Sequence, residues 1–134
     1  MTKIGVIGGA GYVGLVTGVG FAALGHQVTS MDLDGSRIEM LCKGSSAVYE
    51  DGLERILRQL IERDQISFTV DQSQTVKNCD ALFIAVGTPS LADGAADLSA
   101  IIAVAERLRD EIQKYTVIVV KSTVPVGTIR VIAE

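Results

Sequence analysis

The chain has 134 residues, which is the usual length of a single domain. Its apolar fraction of 48% is enough for a hydrophobic core, and its charged fraction of 21% excludes a disordered chain. The net charge of −4 argues against a nucleic-acid surface, and no apolar run approaches the ~20 residues that span a bilayer. We therefore expect a cytoplasmic protein with no nucleic-acid partner and no membrane partner.

Strand and helix patterns alternate along the chain. In the first half we expect strands at 3–7 and 27–31 and helices at 11–24, 34–43 and 53–62. In the second half we expect strands at 66–70, 81–86 and 116–120, and helices at 73–77, 98–113 and from about 128 onward. The run at 81–86 is wholly apolar and indicates a central strand.

Such alternation predicts an α/β fold, with a parallel sheet covered by helices on both faces. The expected arrangement is a Rossmann-type doubly wound sheet, which in its full form has six strands. Only five strands are expected here. We therefore expect residues 1–134 to be one Rossmann-type domain, truncated after about the fifth strand and belonging to a longer protein.

A glycine-rich loop follows the first expected strand and opens the first expected helix. Gly9, Gly11 and Gly14 form the pattern G-x-G-x-x-G. The first glycine permits a tight turn, the second lets the backbone approach a pyrophosphate, and the third lets the helix pack closely on the strand. The loop also reads Gly8-x-x-Gly11-x-x-Gly14, a spacing found in short-chain dehydrogenases and nucleotide-sugar epimerases. The loop alone leaves both groups open.

An acidic residue, Asp32, occupies the position that binds a ribose in Rossmann-type domains. Asp32 ends the second strand about 20 residues beyond the glycine loop, and its carboxylate can accept both hydroxyls of an adenosine ribose. Because it repels a 2′-phosphate, Asp32 favours NAD over NADP. Arg37, one turn into the next helix, is placed to lie against the adenine or to pair with Asp34, and an ordinary surface arginine is the alternative.

Two further loops are expected at the same edge of the sheet, because carboxyl ends of parallel strands face the ligand crevice. Val86, Gly87 and Thr88 follow the fourth strand, where glycine allows close approach and a threonine hydroxyl can bond a ribose. Thr123 follows the fifth strand, and we expect Lys121 beside it to be a solvated charge.

Metal chemistry is not expected. The two cysteines, Cys42 and Cys79, have no ligand spacing, and His26 is the only histidine. We expect both cysteines to be reduced and mostly buried.

These motifs together resemble one known family. In chain order the segments that carry the resemblance are Gly11-Tyr12-Val13-Gly14-Leu15, Gly25-His26, Asp32, Tyr49-Glu50-x-Gly52-Leu53, Phe83–Pro89, Asp93–Ser99 and Lys121–Thr128. They are similar to the UDP-glucose/GDP-mannose dehydrogenase family, and the last segment is closer to its UDP-glucose branch. The resemblance argues against the epimerase alternative.

The resemblance implies oxidation of C6 of a nucleotide sugar to a carboxylate, with two NAD⁺ reduced and a cysteine thiol holding the intermediate. It implies a role in nucleotide-sugar metabolism and polysaccharide biosynthesis, and a homo-oligomeric full-length enzyme. Thr123 is the expected catalytic residue, helping to place a water or the substrate alcohol. The expected cofactor-binding residues are Gly9, Gly11, Tyr12, Val13, Gly14, Asp32, Arg37, Val86, Gly87, Thr88 and Thr123.

The family's cysteine, lysine and asparagine motifs are not found in residues 1–134. We therefore expect the UDP-sugar to bind through a second half of the enzyme, and these residues alone to be inactive. Two other functions stay open, namely a dehydrogenase of another UDP- or GDP-sugar such as GDP-mannose, and a non-catalytic dinucleotide-binding module.

Two positions depart from the family pattern. The family has Gly-x-Gly directly after the first strand, whereas this chain has Gly8-Gly9-Ala10-Gly11, which is one residue longer. The family also has proline where this chain has Asp51. Because of the additional residue, the sequence does not predict the exact shape of the turn.

Overall fold

Five short strands form one parallel sheet in the computed structural model, which describes residues 1–134. The strand order is β3-β2-β1-β4-β5, and every neighbouring pair is parallel. The strands are β1 Lys3–Ile7, β2 Gln27–Met31, β3 Ile66–Thr69, β4 Ala81–Ile84 and β5 Val117–Val120. The predicted Rossmann-type doubly wound sheet is confirmed.

The strand predicted at 81–86 is an interior strand, as its apolar sequence indicated, but it ends at Ile84. The middle strand is β1, and β4 lies between β1 and β5. The chain starts in the middle of the sheet, moves outward to β3, and then crosses back to add β4 on the other side of β1. β4 therefore has a neighbouring strand on each side, which explains its apolar sequence.

Six helices connect and flank the strands. They are α1 Tyr12–Ala23, α2 Gly35–Cys42, α3 Leu53–Glu62, α4 Gln72–Val76, α5 Ser99–Glu111 and α6 Thr128–Ala133. Two of them begin at aspartates that cap them, since Asp34 accepts a hydrogen bond from Arg37 N and Asp71 accepts one from Ser73 N. The helix bounds predicted from the sequence are correct for α3 and for the start of α6, and they differ by one or two residues at the ends of the other helices.

The core has two parts, one on each face of the sheet. On one face, α1, α2 and α3 pack on the sheet around Leu15 and the fully buried Leu57. On the other face, α4 and α5 pack around Leu82 and the fully buried Ile101. Burying each of these side chains contributes roughly 1.5–3 kcal/mol, so both faces hold the strand ends in fixed positions.

The two cysteines differ in environment. Cys79 is buried and its thiol donates to Val76 O at 3.3 Å, and burial raises the pKa of this thiol. Cys42 is exposed, so the prediction that both thiols are mostly buried is wrong for Cys42. It ends α2, whose inward side is taken by Ile38 and Leu41, and this turns Cys42 toward solvent.

No helix combines the length and the apolar character that a membrane span requires.

Candidate functional site

A cleft of about 360 Å³ lies outside the carboxyl ends of the strands. Its lining includes Gly8 and Gly11 after β1, Asp32 and Arg37 after β2, and Gly87 after β4. The side walls come from α4 and α5. The cleft therefore brings together residues from three of the loops that the sequence singled out.

The extra residue of the glycine loop is taken up at Gly8. Gly8 has φ +82°, a left-handed conformation that favours glycine, and a Cβ there would lie 2.5 Å from Ala85 O. The N–H groups of Gly8 and Gly9 both donate to Met31 O, at 2.9 and 2.8 Å. The turn is thus completed before Gly9, and the spacing from Gly9 to Gly14 is kept.

Gly9 and Gly14 are required by packing within the protein. A Cβ on Gly9 would overlap Ser30 Oγ, and a Cβ on Gly14 would overlap Gly8 O. Gly9 therefore keeps the loop close to β2, whereas the pattern predicted that it permits a tight turn. Gly14 lets α1 pack closely on the loop that follows β1, as the pattern predicted for it.

Gly11 has a different environment. A Cβ on Gly11 would meet only Gly8 O, at an ordinary 3.7 Å, and its φ of −76° and ψ of 166° are allowed for any residue. Nothing in the protein therefore requires glycine at this position. Gly11 lines the cleft, so a side chain there would fill space that only a ligand needs.

The N-terminus of α1 opens beside Gly11. No side chain caps this twelve-residue helix, and its first turn carries no acidic residue. The first internal bond runs from Leu15 N to Gly11 O, so the N–H groups of Tyr12, Val13 and Gly14 have no helical partner. Free N–H groups and the helix dipole suit this end to a pyrophosphate, and the residues present therefore fit a dinucleotide.

Both carboxylate oxygens of Asp32 accept hydrogen bonds from backbone N–H groups. Its Oδ2 accepts from Ala10 N and its Oδ1 accepts from Asp34 N, each at 3.0 Å. A carboxylate oxygen has two lone pairs, so each oxygen keeps one for a ribose hydroxyl. The sequence predicted that Asp32 binds a ribose, but it did not indicate the hydrogen bonds that Asp32 accepts from Ala10 N and Asp34 N.

Arg37 is half-exposed on the wall of the cleft and pairs with Asp34. The distance from Arg37 Nε to Asp34 Oδ2 is 3.4 Å. The pKa of Asp34 is lowered, mainly because its carboxylate accepts from the Ser36 hydroxyl and also from Arg37 N. The predicted pairing is present, and Arg37 also lines the cleft. An adenine contact by Arg37 stays a prediction.

The loops after β4 and β5 are bonded to each other. Thr88 Oγ1 donates to Thr123 O at 2.8 Å, and Ser122 Oγ donates to Val86 O at 2.8 Å. Thr123 is exposed and Thr88 is half-buried; Val86 and Gly87 line the cleft, whereas the two threonines do not. The structure thus brings the two predicted threonines together at one edge of the site.

Lys121, which follows β5, is exposed, as predicted for a solvated charge.

Tyr12 has a partner that the sequence did not indicate. Its hydroxyl donates to Glu50 Oε2 at 2.7 Å, and this bond together with the negative charge of Glu50 raises the pKa of Tyr12. Val13, like Tyr12, is exposed at the start of α1. The loop before α3, which carries Asp51, is therefore attached to the N-terminal end of α1.

The sequence also did not indicate one wall of the cleft. It consists of residues from α4 and α5, namely Gln72, Ala100, Ala103, Val104 and Arg107. The signal in the sequence for this wall is a pair of alanines, Ala100 and Ala103, three residues apart on one side of α5. Their small side chains leave room for a flat ligand.

The family model described as the UDP-glucose/GDP-mannose dehydrogenase family, NAD binding domain, matches residues 2–134. A UDP-glucose 6-dehydrogenase from Pseudomonas aeruginosa is 44% identical over 126 residues, which are 94% of this chain and 28% of that protein.

Two solved structures have closely similar folds. A UDP-glucose dehydrogenase from Pyrobaculum islandicum has a TM-score of 0.90 and 41% identity, covering 99% of this chain and 32% of that one. A GDP-mannose dehydrogenase from Pseudomonas aeruginosa, in a ternary complex, has a TM-score of 0.90 and 34% identity, covering 97% of this chain and 30% of that one. The chain thus spans less than a third of the length of these relatives.

Proposed function

The chain belongs to the UDP-glucose/GDP-mannose dehydrogenase family as its NAD-binding domain, and we propose that it forms the cofactor half of a UDP-glucose 6-dehydrogenase. Family and cofactor agree with the expectations from the motifs. The proposed reaction of the whole enzyme converts UDP-glucose and two NAD⁺ to UDP-glucuronate and two NADH. It serves nucleotide-sugar metabolism and polysaccharide biosynthesis in the cytoplasm.

The open space at Gly11 carries the proposal for the site. No contact within the protein requires glycine at position 11, yet the residue there is glycine, which has no side chain. It lies beside the uncapped N-terminus of α1. We assign the pyrophosphate to Gly11 and to the N–H groups of Tyr12, Val13 and Gly14. Gly9 and Gly14 shape this cradle through packing alone.

The remaining cofactor contacts follow the edge of the cleft. Asp32 accepts the ribose hydroxyls with its free lone pairs, while Arg37 lies along the position of the adenine. Val86 and Gly87 present backbone to the second ribose, and Thr88 is oriented by its bond to Thr123 O. When bound, NAD⁺ supplies the hydride acceptor.

Thr123 is the proposed catalytic residue of this chain. It is exposed at the carboxyl end of β5, on the side where Thr88 meets it, and its hydroxyl is free to orient the sugar alcohol or a water. A UDP-sugar site, a nucleophilic cysteine and the oligomer contacts are assigned to other parts of the enzyme. Residues 1–134 act as one domain in this proposal.

UDP-glucose is preferred over GDP-mannose as substrate for two reasons. Identity is 44% to the Pseudomonas UDP-glucose enzyme and 41% to the Pyrobaculum one, against 34% to the GDP-mannose enzyme. The segment Lys121–Thr128 is also closer to the UDP-glucose branch.

The substitution Gly11→Val tests the cradle. The extended backbone at Gly11 accepts a β-branched residue and no protein atom stands in its way, so we expect the fold to persist while NAD affinity falls at least about a hundredfold. The measurement is calorimetric titration with NAD, with circular dichroism as the check of folding.

Gly20→Val is the matched control, because Gly20 lies on the same helix with no atom within 4 Å of a built Cβ. It should bind NAD like the unmodified chain. Undiminished NAD binding by folded Gly11→Val would show that the pyrophosphate lies elsewhere.

A further inference from the structure

The wall of the cleft that α4 and α5 form has no role in the function proposed above. Gln72, the first residue of α4, lies in this wall together with Ala100 and Ala103 of α5. Gln72 is only 2% exposed, which is unusual for a glutamine. A buried amide that lines a cleft is a candidate for recognising the ligand through a hydrogen bond.

The orientation of the Gln72 amide is determined by Glu111. Gln72 Nε2 donates to Glu111 Oε2 at 2.9 Å and to Val104 O at 3.4 Å. Both partners are acceptors, so the nitrogen of the amide and not its oxygen faces α5. Glu111 is itself fixed, because it also accepts from Ser73 Oγ at 2.7 Å and from Arg107 Nη2 at 3.4 Å.

The amide oxygen is therefore left without a partner. No group of the protein donates to Gln72 Oε1, and Ser30 Oγ is the only fully buried side-chain polar atom that lacks a hydrogen bond. Gln72 Oε1 is consequently not fully buried, and Gln72 is one of the residues that line the cleft. A nearly buried acceptor in a ligand cleft favours a donor on the ligand.

We propose that Gln72 Oε1 accepts a hydrogen bond from the exocyclic amine of the adenine, so that the cleft selects a 6-aminopurine over a 6-oxopurine. The proposal rests on the NAD-binding function above, because Asp32 and Arg37 place the adenosine end of NAD in this cleft. Ala100 and Ala103 leave the wall flat beside Gln72. A 6-oxopurine would bring its oxygen against Gln72 Oε1, and two acceptors repel each other.

Nicotinamide hypoxanthine dinucleotide tests this inference, since it differs from NAD in having a carbonyl in place of the amine. Calorimetric titration of the unmodified chain should give about tenfold tighter binding of NAD. In Gln72→Met, which removes the amide and keeps much of the volume, the two affinities should become equal, mainly through weaker binding of NAD.

Gln74→Met is the matched control. Gln74 lies on the same helix but is exposed, its Oε1 accepts from Thr69 Oγ1 at 2.8 Å, and it does not line the cleft. This variant should keep the tenfold preference. A preference that persists in folded Gln72→Met would overturn the assignment.

Gln72→Met removes the hydrogen bonds to Glu111 and Val104 as well as the proposed bond to the ligand. A second measurement therefore uses the unmodified chain and changes the ligand instead. AMP should bind the unmodified chain several-fold more tightly than the 5′-monophosphate of unsubstituted purine riboside, which lacks the amine without adding a carbonyl. Equal affinity in this pair, or equal affinity for the two dinucleotides, overturns the role of Gln72 and leaves NAD binding standing. Failure to bind either dinucleotide overturns the proposed function as well.

Discussion

Asp32 illustrates how one side chain can serve both the fold and the ligand. Its two oxygens hold the N–H groups of Ala10 and Asp34, which joins the glycine loop to the start of the loop before α2. The same carboxylate lines the cleft. A ligand that reaches Asp32 therefore meets a full negative charge whose position is already fixed.

This charge predicts the choice of cofactor. We expect the chain to bind NAD at least about tenfold more tightly than NADP, because a 2′-phosphate would be repelled and would remove a charge-assisted hydrogen bond worth ~1.5–3 kcal/mol. Calorimetric titration with both cofactors measures the ratio. Equal affinities would contradict the role given to Asp32.

Asp32→Asn should reduce that preference, since an amide carries no charge and keeps only one acceptor oxygen for the two N–H groups. Asp110→Asn provides the control, because Asp110 is exposed on α5 and does not line the cleft. That variant should leave the ratio of affinities unchanged.

The candidate cofactor residues that are easiest to identify from the sequence belong to a local motif. Gly9, Gly11 and Gly14 are close in sequence, and their order between a strand and a helix identifies them. Glu50 was not identified, because it meets Tyr12 across 38 residues and only the packed fold brings them together. Gln72 was missed for the same reason, since its partner Glu111 is 39 residues away.

Among the secondary-structure elements, α3 was predicted with its correct bounds. Its apolar residues recur with helical spacing, and Leu53, Leu57 and Leu60 are buried while arginines and glutamates alternate with them. The end of β4 was predicted two residues too late. Ala85 and Val86 continue the apolar run, but the ladder to β5 ends at Ile84, and Val86 turns to line the cleft.

The packing of α3 gives a stability prediction. Leu57 is fully buried in the core between α3 and the sheet, so Leu57→Ala should lower the free energy of unfolding by about 2–5 kcal/mol through lost burial and a cavity. Urea denaturation followed by circular dichroism measures this change.

Gln59→Ala on the same helix is the comparison, because Gln59 is exposed. It should change the free energy of unfolding by less than about 0.5 kcal/mol. Similar effects of the two substitutions would mean that α3 does not pack as described.

For the whole molecule, the sheet topology determines where the cleft lies. The strand order reverses between β1 and β4, and ligands of open parallel sheets bind outside the carboxyl ends at such a point. The alternation of strands and helices predicted a parallel sheet. It did not predict the order of strands, because alternation is equally compatible with β4 in the middle.

Residues 1–134 should bind NAD without oxidising UDP-glucose. The cleft holds no cysteine, Cys79 is buried with a raised thiol pKa, and Cys42 is exposed at the end of α2. Without a site that positions C6, hydride transfer also loses a proximity contribution of up to ~7–11 kcal/mol.

The measurement is the absorbance of NADH after mixing the purified chain with NAD⁺ and UDP-glucose. A parallel mixture without UDP-glucose sets the background. Turnover at the rate of an ordinary dehydrogenase would contradict the division of roles between this domain and the rest of the enzyme.

The turn at Gly8 makes one position of the glycine loop tolerant of a change in length. Because Gly8 and Gly9 share the carbonyl of Met31, the additional residue is accommodated upstream of Gly9. Downstream, Gly9, Gly11 and Gly14 keep their spacing to α1, so a pyrophosphate meets the same arrangement of N–H groups. Insertion or loss of one residue at this place during evolution can therefore leave cofactor binding intact, whereas the same change two residues later would shift the start of α1.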